Sequence, residues 1–176
     1  MAKWLKDLFN EYLQEQLEED LNGVKSSVEI GGVYFGSLQS LSKDKPNKPL
    51  YFVVLRKIDD NLYEVMKASD WYHFATGRDV IIDLGTMTMI VESDCNFYLT
   101  EEEISRFRLI DRIDDEMTDK IKRFREGEDV DVKKGFTPMS KYINLGDYKD
   151  IREAFKEEEF KQIREYHLRI FELLSE

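Results

Sequence analysis

The chain begins with apolar side chains at three- and four-residue steps, and acidic side chains lie between them. This period predicts an amphipathic helix over residues 1–23, which ends at Asn22-Gly23 because both residue types accept the left-handed backbone that closes a helix. Its apolar stripe consists of Trp4, Leu5, Leu8, Phe9, Tyr12, Leu13, Leu17 and Leu21. Two roles stay open for this stripe: packing on the chain's own domain, and pairing with a partner.

After residue 26 the pattern changes to short apolar runs, rich in β-branched and aromatic side chains, with turn residues between them. Residues 50–55 form an uninterrupted apolar run, which predicts a central strand. Asp59–Asn61 then predicts a tight turn into a second strand at residues 62–66. The remaining predicted strands cover residues 28–30, 33–35, 80–82, 89–91 and 97–99. Such spacing predicts a small curved antiparallel sheet or SH3-like barrel within residues 24–126.

Two helix starts follow the strands. Thr100 and Glu103 form a capping box, in which the Thr hydroxyl accepts a free amide and the Glu carboxylate reaches back to the cap residue. Asp114 is the predicted cap of a second helix, which ends near Gly127. The first helix carries the apolar residues Ile104 and Phe107, and the second carries Met117, Ile121 and Phe124 on one face.

The last part of the chain divides into a loop and a helix. Residues 127–147 show little periodicity and contain Gly and Pro, so they are predicted to be a linker. Residues 148–176 return to helical spacing, although the apolar stripe slips near Glu157–Glu159, which leaves open a kink or a division into two helices. The predicted fold class is therefore α+β, with amphipathic helices at both ends of the chain.

Composition narrows the class of protein further. The net charge of −11 makes a broad phosphate-binding face improbable, although a local basic loop remains compatible with it. The lone cysteine, Cys95, excludes an internal disulfide and a cysteine-rich zinc site. No apolar run reaches the length of about 18 residues that spans a bilayer, and the first residues lack the apolar segment of a signal peptide. We expect a cytoplasmic protein with no membrane contact.

Two loops carry the candidate chemistry. Residues 40–49 hold Lys43, Lys45 and Lys48 against one aspartate, so this loop is locally cationic. Residues 68–74 follow the hairpin and hold Trp71 and His73 among other rings. Lysines for phosphates and flat rings for bases are what single-stranded nucleic acid requires. The alternative is structural: the rings cap the core, and the lysines keep a turn soluble.

No motif for a cofactor or a metal is evident. The glycines near residue 32 are followed by neither a Walker lysine nor a helix start, so they do not form a phosphate-binding loop. Asp70, His73, Asp79 and Asp83 could supply oxygen and nitrogen ligands, but solvated loop acids are the favoured interpretation. We expect no cofactor and no metal.

The order of these parts resembles the PemK/MazF-like toxins, a family of small SH3-like barrels, over residues 28–125. Residues 32–35 occupy the place of the family's opening strand, and residues 48–55 resemble its Arg-Pro followed by an apolar strand. Residues 65–69 resemble the next strand, which ends in a small hydroxyl residue. Residues 97–99 and 108–114 resemble the late strands, the last of which leads into a terminal helix.

This resemblance implies a metal-independent, sequence-selective endoribonuclease that is dimeric and is neutralised by an antitoxin. Carried over by position, the arginine that stabilises the phosphate corresponds to Lys48, and the nearby hydroxyl residue corresponds to Ser69. Lys48 departs from the family pattern, because lysine offers a point charge where arginine grips a phosphate through two bonds.

Two functions therefore stay open. One is an RNA-directed protein of PemK/MazF type, either catalytically active or degenerate, in which Lys43, Lys45, Trp71 and His73 contact RNA. The other is a non-enzymatic protein-interaction module, which the acidity and the long amphipathic helices at both ends favour. A combination of the two also stays open, in which the acidic C-terminal helix folds over the cationic loop and blocks it.

Overall fold

A computed structural model of the protein describes residues 28–135 and 151–175, so the helix predicted over residues 1–23 lies outside the described residues. The described strands are β1 (Gly32–Ser37), β2 (Pro49–Asp59), β3 (Leu62–Ser69), β4 (Asp79–Asp83), β5 (Thr88–Leu99) and β6 (Arg108–Arg112). The described helices are α1 (Glu101–Ser105), α2 (Asp115–Arg125) and α3 (Ile151–Ser175).

The six strands form one antiparallel sheet in the order β4-β5-β3-β2-β1-β6. It curls into a half-barrel, which confirms the predicted α+β class with a small curved sheet. The predicted hairpin is confirmed as β2 and β3, because Asp59 pairs with Leu62 across the turn. Both predicted helix caps are also confirmed: Thr100 and Glu103 form the capping box of α1, and the side chain of Asp114 accepts the Met117 N–H of α2.

Helices cover both faces of this sheet, so each face contributes to its own apolar core. The face under α3 and α1 buries Tyr34, Leu50, Phe52, Val54, Tyr63, Val65, Phe97, Leu99, Ile104, Ile163 and Tyr166. The face under α2 buries Val33, Val53, Leu55, Met66, Ala68, Val80, Ile82, Met89, Val91, Ile121 and Phe124. The two sets follow the alternation of the strands, because successive side chains of a strand point to opposite faces.

One predicted strand is wrong. Residues 28–30 are not part of a strand, since β1 begins at Gly32 after a turn. The cause is Gly31, whose backbone takes a φ of +82° in the left-handed region. Its N–H donates to the Val54 carbonyl at 2.7 Å, and its carbonyl accepts the Ile113 N–H at 2.9 Å. Gly31 thereby ties the entry of the sheet to the segment that leads into α2.

Gly31→Ala is expected to lower the free energy of unfolding by about 1–3 kcal/mol, because alanine is strained at a positive φ. In addition, its Cβ would lie 2.7 Å from the Ile113 carbonyl oxygen. Gly85→Ala is the matched control, because Gly85 has a φ of +86° and nothing within 4 Å of an added Cβ. Urea unfolding measures both. Equal losses in the two variants would show that the contact with Ile113 contributes nothing.

Three other boundaries differ from the sequence prediction. The strands predicted at residues 89–91 and 97–99 are the two ends of the single strand β5, which bulges between them. The described start of the predicted linker is not free of the sheet: the Ile81 N–H of β4 donates to the Lys133 carbonyl at 2.7 Å. Helix α3 runs without interruption past Glu157–Glu159, so the chain is not divided into two helices there.

Helix α3 is anchored on the sheet by its second half. Ile163 and Tyr166 are buried in the core beneath it. His167 Nδ1 lies 2.7 Å from the Asn96 carbonyl oxygen, and Arg169 donates to the Glu103 carboxylate at 2.6 Å. Among the described helices, none is both long and apolar enough to cross a membrane.

Candidate nucleic-acid interface

The antiparallel hairpin brings the two candidate loops to one end of the sheet. Strand β2 begins where β3 ends, because Tyr51 pairs with Ala68. The loop before β2, residues 38–48, is named the lysine loop here, and the loop after β3, residues 70–78, is named the aromatic loop. Together they form one rim. The structure therefore places the lysine loop, which holds Lys43, Lys45 and Lys48, beside the aromatic loop, which holds Trp71 and His73.

Hydrogen bonds hold the lysine loop close to the sheet. The Leu38 N–H donates to the Lys48 carbonyl at 2.8 Å, and the Lys48 N–H donates to the Pro46 carbonyl at 2.9 Å. At the neck of the loop, the Ser37 hydroxyl donates to Asn47 Oδ1 at 2.7 Å. These bonds fix the backbone from which the Lys48 side chain projects.

The three lysines of this loop differ in their surroundings. Lys43 and Lys48 are exposed to solvent. Lys45 is partly buried, because its ammonium forms an ion pair with Glu165 of α3. Two of the predicted RNA-contacting or phosphate-stabilising lysines are therefore accessible at the rim, and the third is held by Glu165 of α3.

The aromatic loop presents rings to solvent. Trp71 is 60% exposed and Tyr72 is 43% exposed, and both are large side chains that ordinarily gain by burial. The rings of Tyr72 and His73 lie against each other at 4.2 Å between centroids, and Trp71 lies 5.7 Å from Phe74. The sequence left two interpretations open for these rings, contact with RNA and capping of the core. Trp71 does not cap the core, because most of its side chain is exposed.

Ser69 lies at the inner edge of the rim but is buried. Its hydroxyl oxygen accepts the backbone N–H of Trp71 at 3.1 Å, which fixes the first turn of the aromatic loop. Lys48, its predicted catalytic partner, is exposed on the neighbouring strand end. In this conformation Ser69 positions the aromatic loop, and its hydroxyl is not accessible to a ligand in solvent.

Below the rim, charged side chains are buried between α3 and the sheet. Asp79 of β4 pairs directly with Glu92 of β5, which places two acids opposite each other on one face. Like charges in this position repel, unless a cation lies between them. Lys156 of α3 supplies that cation, as its ammonium contacts the Asp79 carboxylate and lies 2.7 Å from Glu92 Oε1. Asp79 also accepts the Thr76 N–H at 2.8 Å.

Lys67 of β3 extends this group of buried charges toward Ser69. Lys67 is 3% exposed and lies two residues before Ser69 on β3, so the alternation of the strand puts both on the face beneath α3. Its ammonium pairs with Glu159 of α3 and lies 4.0 Å from Glu92 Oε2. The buried charge cluster is defined as Lys67, Asp79, Glu92, Lys156 and Glu159.

Burial shifts the pKa values within this cluster. Burial raises the pKa of Asp79 and of Glu92, although Lys156 opposes the shift in both. For Lys156, burial acts to lower the pKa, but the carboxylates of Glu92 and Asp79 outweigh it and the pKa is raised. Burial lowers the pKa of Lys67. With three carboxyl groups and two lysines, the cluster contains one acid more than its cations.

Sequence reasoning missed this cluster, although one signal for it was present. Lys67 continues the alternation of Tyr63 and Val65, so a regular strand places it on the apolar face. A lysine at such a position needs a buried partner. Which residues supply that partner depends on how α3 crosses the sheet, and the pattern along the chain does not encode that.

A second polar network lies on the opposite face of the sheet. Glu64 is 2% exposed, and its carboxylate accepts from Arg56 at 3.1 Å and from Arg125 at 2.9 Å. Asn96 and Tyr98 also donate to it, each at 3.3 Å. These bonds tie α2 to the sheet, and since the groups satisfy one another the network is structural.

The chain was also compared with known proteins. No family model, no curated protein and no solved structure matches it. Within residues 28–135 and 151–175, no three His, Cys, Asp or Glu side chains are grouped so as to hold a metal ion. Burial raises the pKa of the Cys95 thiol, which keeps it protonated and unreactive. The rim combines exposed rings and exposed lysines on two adjacent loops.

Proposed function

We propose that the protein binds single-stranded RNA at the rim. The observation that carries this proposal is the exposure of Trp71, at 60%, on the loop beside the exposed lysines Lys43 and Lys48. An exposed indole ring can stack on an unpaired base, and neighbouring ammonium groups can neutralise phosphates. His73, whose ring lies against that of Tyr72 at an angle of 38° between the ring planes, extends the ring surface.

The acidity of the whole chain limits the strength of this binding. With a net charge of −11, phosphates are repelled at long range, and attraction is confined to the lysine loop. We therefore expect a short RNA site, weakened strongly by salt, in which stacking supplies much of the affinity. This also favours a single strand over a duplex, because the bases of a duplex are not free to stack on protein rings.

The proposal is for binding, and cleavage is a separate question. The resemblance to the PemK/MazF-like toxins supports an RNA ligand and makes Lys48 and Ser69 candidate catalytic residues. Ser69 is 5% exposed and its hydroxyl already accepts a backbone N–H, so the described conformation does not favour it as a reacting group. The catalytic roles of Lys48 and Ser69, a homodimer and an antitoxin partner stay predictions from the resemblance.

Trp71→Ala is expected to weaken binding of a labelled single-stranded RNA of about 12 nucleotides by about tenfold, because one stacked base contributes about 1–3 kcal/mol. Lys48→Ala is expected to weaken it less and to reduce the slope of log Kd against log salt by about 0.7, as one phosphate contact is lost. Fluorescence anisotropy at several salt concentrations measures both effects.

Phe171→Ala is the matched control for Trp71, because Phe171 is 62% exposed but belongs to α3 and to neither loop. If the tryptophan variant binds RNA as tightly as the control, the rim is not the RNA site. The same samples, incubated with a mixed RNA and separated on a gel, test cleavage. Identical cleavage by the wild type, Lys48→Ala and Ser69→Ala would reject the catalytic roles of those two residues.

The alternative, a non-enzymatic protein-interaction module, has one observation in its favour. Leu168, Phe171 and Leu173 are large apolar side chains exposed near the end of α3. We rank it second because these side chains indicate no particular partner chemistry, whereas the rim combines rings and lysines that fit one ligand class. Absence of RNA binding by the wild type would make this alternative the better proposal.

A further inference from the structure

Helix α3 touches both loops of the rim as well as the strands beneath it. Its Glu165 pairs with Lys45 of the lysine loop. Its Phe155 stacks on Phe74 of the aromatic loop, with 4.9 Å between ring centroids and 19° between ring planes. One helix therefore bridges the two loops that the proposed function assigns to RNA.

The chemistry of these contacts matches that of a nucleic-acid strand. A carboxylate on Lys45 satisfies the ammonium as a phosphate would, and a flat ring stacked on Phe74 takes the place that a base would take. Phe155 and Glu165 lie about 15 Å apart along the axis, at about 1.5 Å per residue. The helix thus presents a ring and an anion at two separated points, as a short single strand does.

A third contact lies deeper. Glu159 pairs with Lys67, which is buried two residues before Ser69 on the same face of β3. If the first half of α3 lifts from the sheet, Lys67 gains access to solvent beside the inner edge of the rim. The buried apolar anchors Ile163 and Tyr166 belong to the second half of the helix and stay in place when the first half lifts. Lifting the first half breaks the contacts of Lys156 with Asp79 and Glu92 and uncovers the partly buried Phe160.

From these contacts we infer that α3 is an internal mimic of the RNA strand, which occupies part of the rim and competes with RNA for Lys45, Lys67 and Phe74. The inference rests on the proposed RNA-binding function and adds its regulation. RNA and α3 exclude each other at these three groups, so a change that weakens the α3 contacts raises the population of the open rim and with it the apparent affinity for RNA.

Two substitutions on α3 test the competition. Glu165→Gln is expected to raise the affinity for the labelled RNA about threefold, the range of one exposed ion pair. Glu159→Gln is expected to raise it by about tenfold or more, because the buried Lys67 loses its main partner. Glu158→Gln is the matched control: it removes the same charge from an exposed position of the same helix and is expected to leave the affinity near that of the wild type.

Amide hydrogen exchange gives a second readout that does not depend on any substitution. When RNA binds the wild type, exchange in the first half of α3 is expected to become faster while β2 and β3 stay protected, because RNA replaces the contacts that hold the helix there. Slower or unchanged exchange in α3 on binding would overturn the inference. So would equal affinities of the Glu165, Glu159 and Glu158 variants.

The two proposals fail in different ways. If Trp71→Ala weakens binding but the α3 variants match the control, RNA binds at the rim and the competition is rejected. If Trp71→Ala has no effect in any background, the rim is not the RNA site, and the inference falls with the proposed function. Glu165 is 60% exposed, so we expect Glu165→Gln to fold as the wild type does. The RNA affinities of Glu165→Gln and the control Glu158→Gln can therefore be compared directly.

Discussion

Phe52→Ala is expected to lower the free energy of unfolding by about 3–5 kcal/mol, the usual cost of truncating a buried phenylalanine. Phe52 is fully buried at the centre of β2, where its ring contacts three others. Tyr34 is stacked on it at 5.4 Å, and Phe97 and Phe107 meet it edge-on at 6.0 and 4.9 Å between centroids. The substitution removes one ring from a cluster of four, and the cavity left behind cannot be closed by small movements of rigid strands.

Phe52 lies close in sequence to the lysine loop of the rim. It lies on β2 three residues beyond Pro49, where the lysine loop joins the sheet. Ile58→Ala is the matched control, because Ile58 lies on the same strand but is 41% exposed. We expect that control to change the free energy of unfolding by less than about 0.5 kcal/mol in urea unfolding. A loss for Phe52→Ala close to that of the control would mean that the ring cluster does not organise this core.

The parts of the fold that were predicted correctly are those that neighbouring residues decide. The hairpin of β2 and β3 follows from an apolar run, a turn of acidic and amide residues, and a second apolar run. The helix caps at Thr100 and Asp114 depend on side chains that bond to amides within the next three residues. In each case the interaction partners are adjacent in sequence, so the pattern is sufficient.

The predicted strand bounds were wrong where one or a few residues interrupt the alternation of buried and exposed side chains. Gly31 breaks an apolar run that otherwise reads as one strand with β1, because its positive φ turns the chain. In β5, residues 92–95 lie opposite Lys67 alone, since Met66 pairs with Asn96 and Ala68 pairs with Val91. Such a bulge breaks the alternation and hides the continuity of the strand.

In the candidate site, the positions of the two loops follow from local sequence, whereas their contacts with α3 do not. That both loops lie at one end follows from the hairpin alone, because antiparallel neighbours exchange their ends. The ion pairs of Lys45 and Lys67 with α3 do not follow, since Glu165 and Glu159 are far away in sequence and their positions depend on the packing of Ile163 and the rest of α3. The sequence therefore predicts where the two loops lie, but the helix that packs over them depends on contacts between distant residues.

Lys156→Met is expected to lower the free energy of unfolding by about 3 kcal/mol near neutral pH, because it leaves the buried Asp79 without its cation and leaves Glu92 with only the more distant Lys67. Methionine keeps the length and much of the packing of the side chain, so the loss reports mainly on charge. Lys161→Met is the matched control on an exposed position of the same helix, and we expect it to be close to neutral. Unfolding in urea, followed by circular dichroism, measures both variants.

The sign of the pH dependence separates the ionic explanation from lost packing. Burial already raises the pKa of Asp79 and Glu92 above their ordinary values of 3.8 and 4.5, and removing Lys156 raises both further. A carboxyl group whose pKa is raised by folding favours the folded state below its ordinary pKa, and that contribution is lost as the pH rises through the raised pKa. The deficit of Lys156→Met relative to the wild type should therefore be small near pH 4 and grow toward neutral pH.

A double substitution tests the same argument from the other partner. Glu92→Gln in the Lys156→Met background removes one of the two acids that have lost Lys156, so it should recover part of the stability lost at neutral pH and little near pH 4, where a carboxyl group with a raised pKa is mostly protonated. A deficit that is the same at both pH values, or a double variant less stable than Lys156→Met throughout, would contradict the role assigned to Lys156. In that case α3 would be held by its apolar anchors and by Glu159, with no contribution from a cation between Asp79 and Glu92.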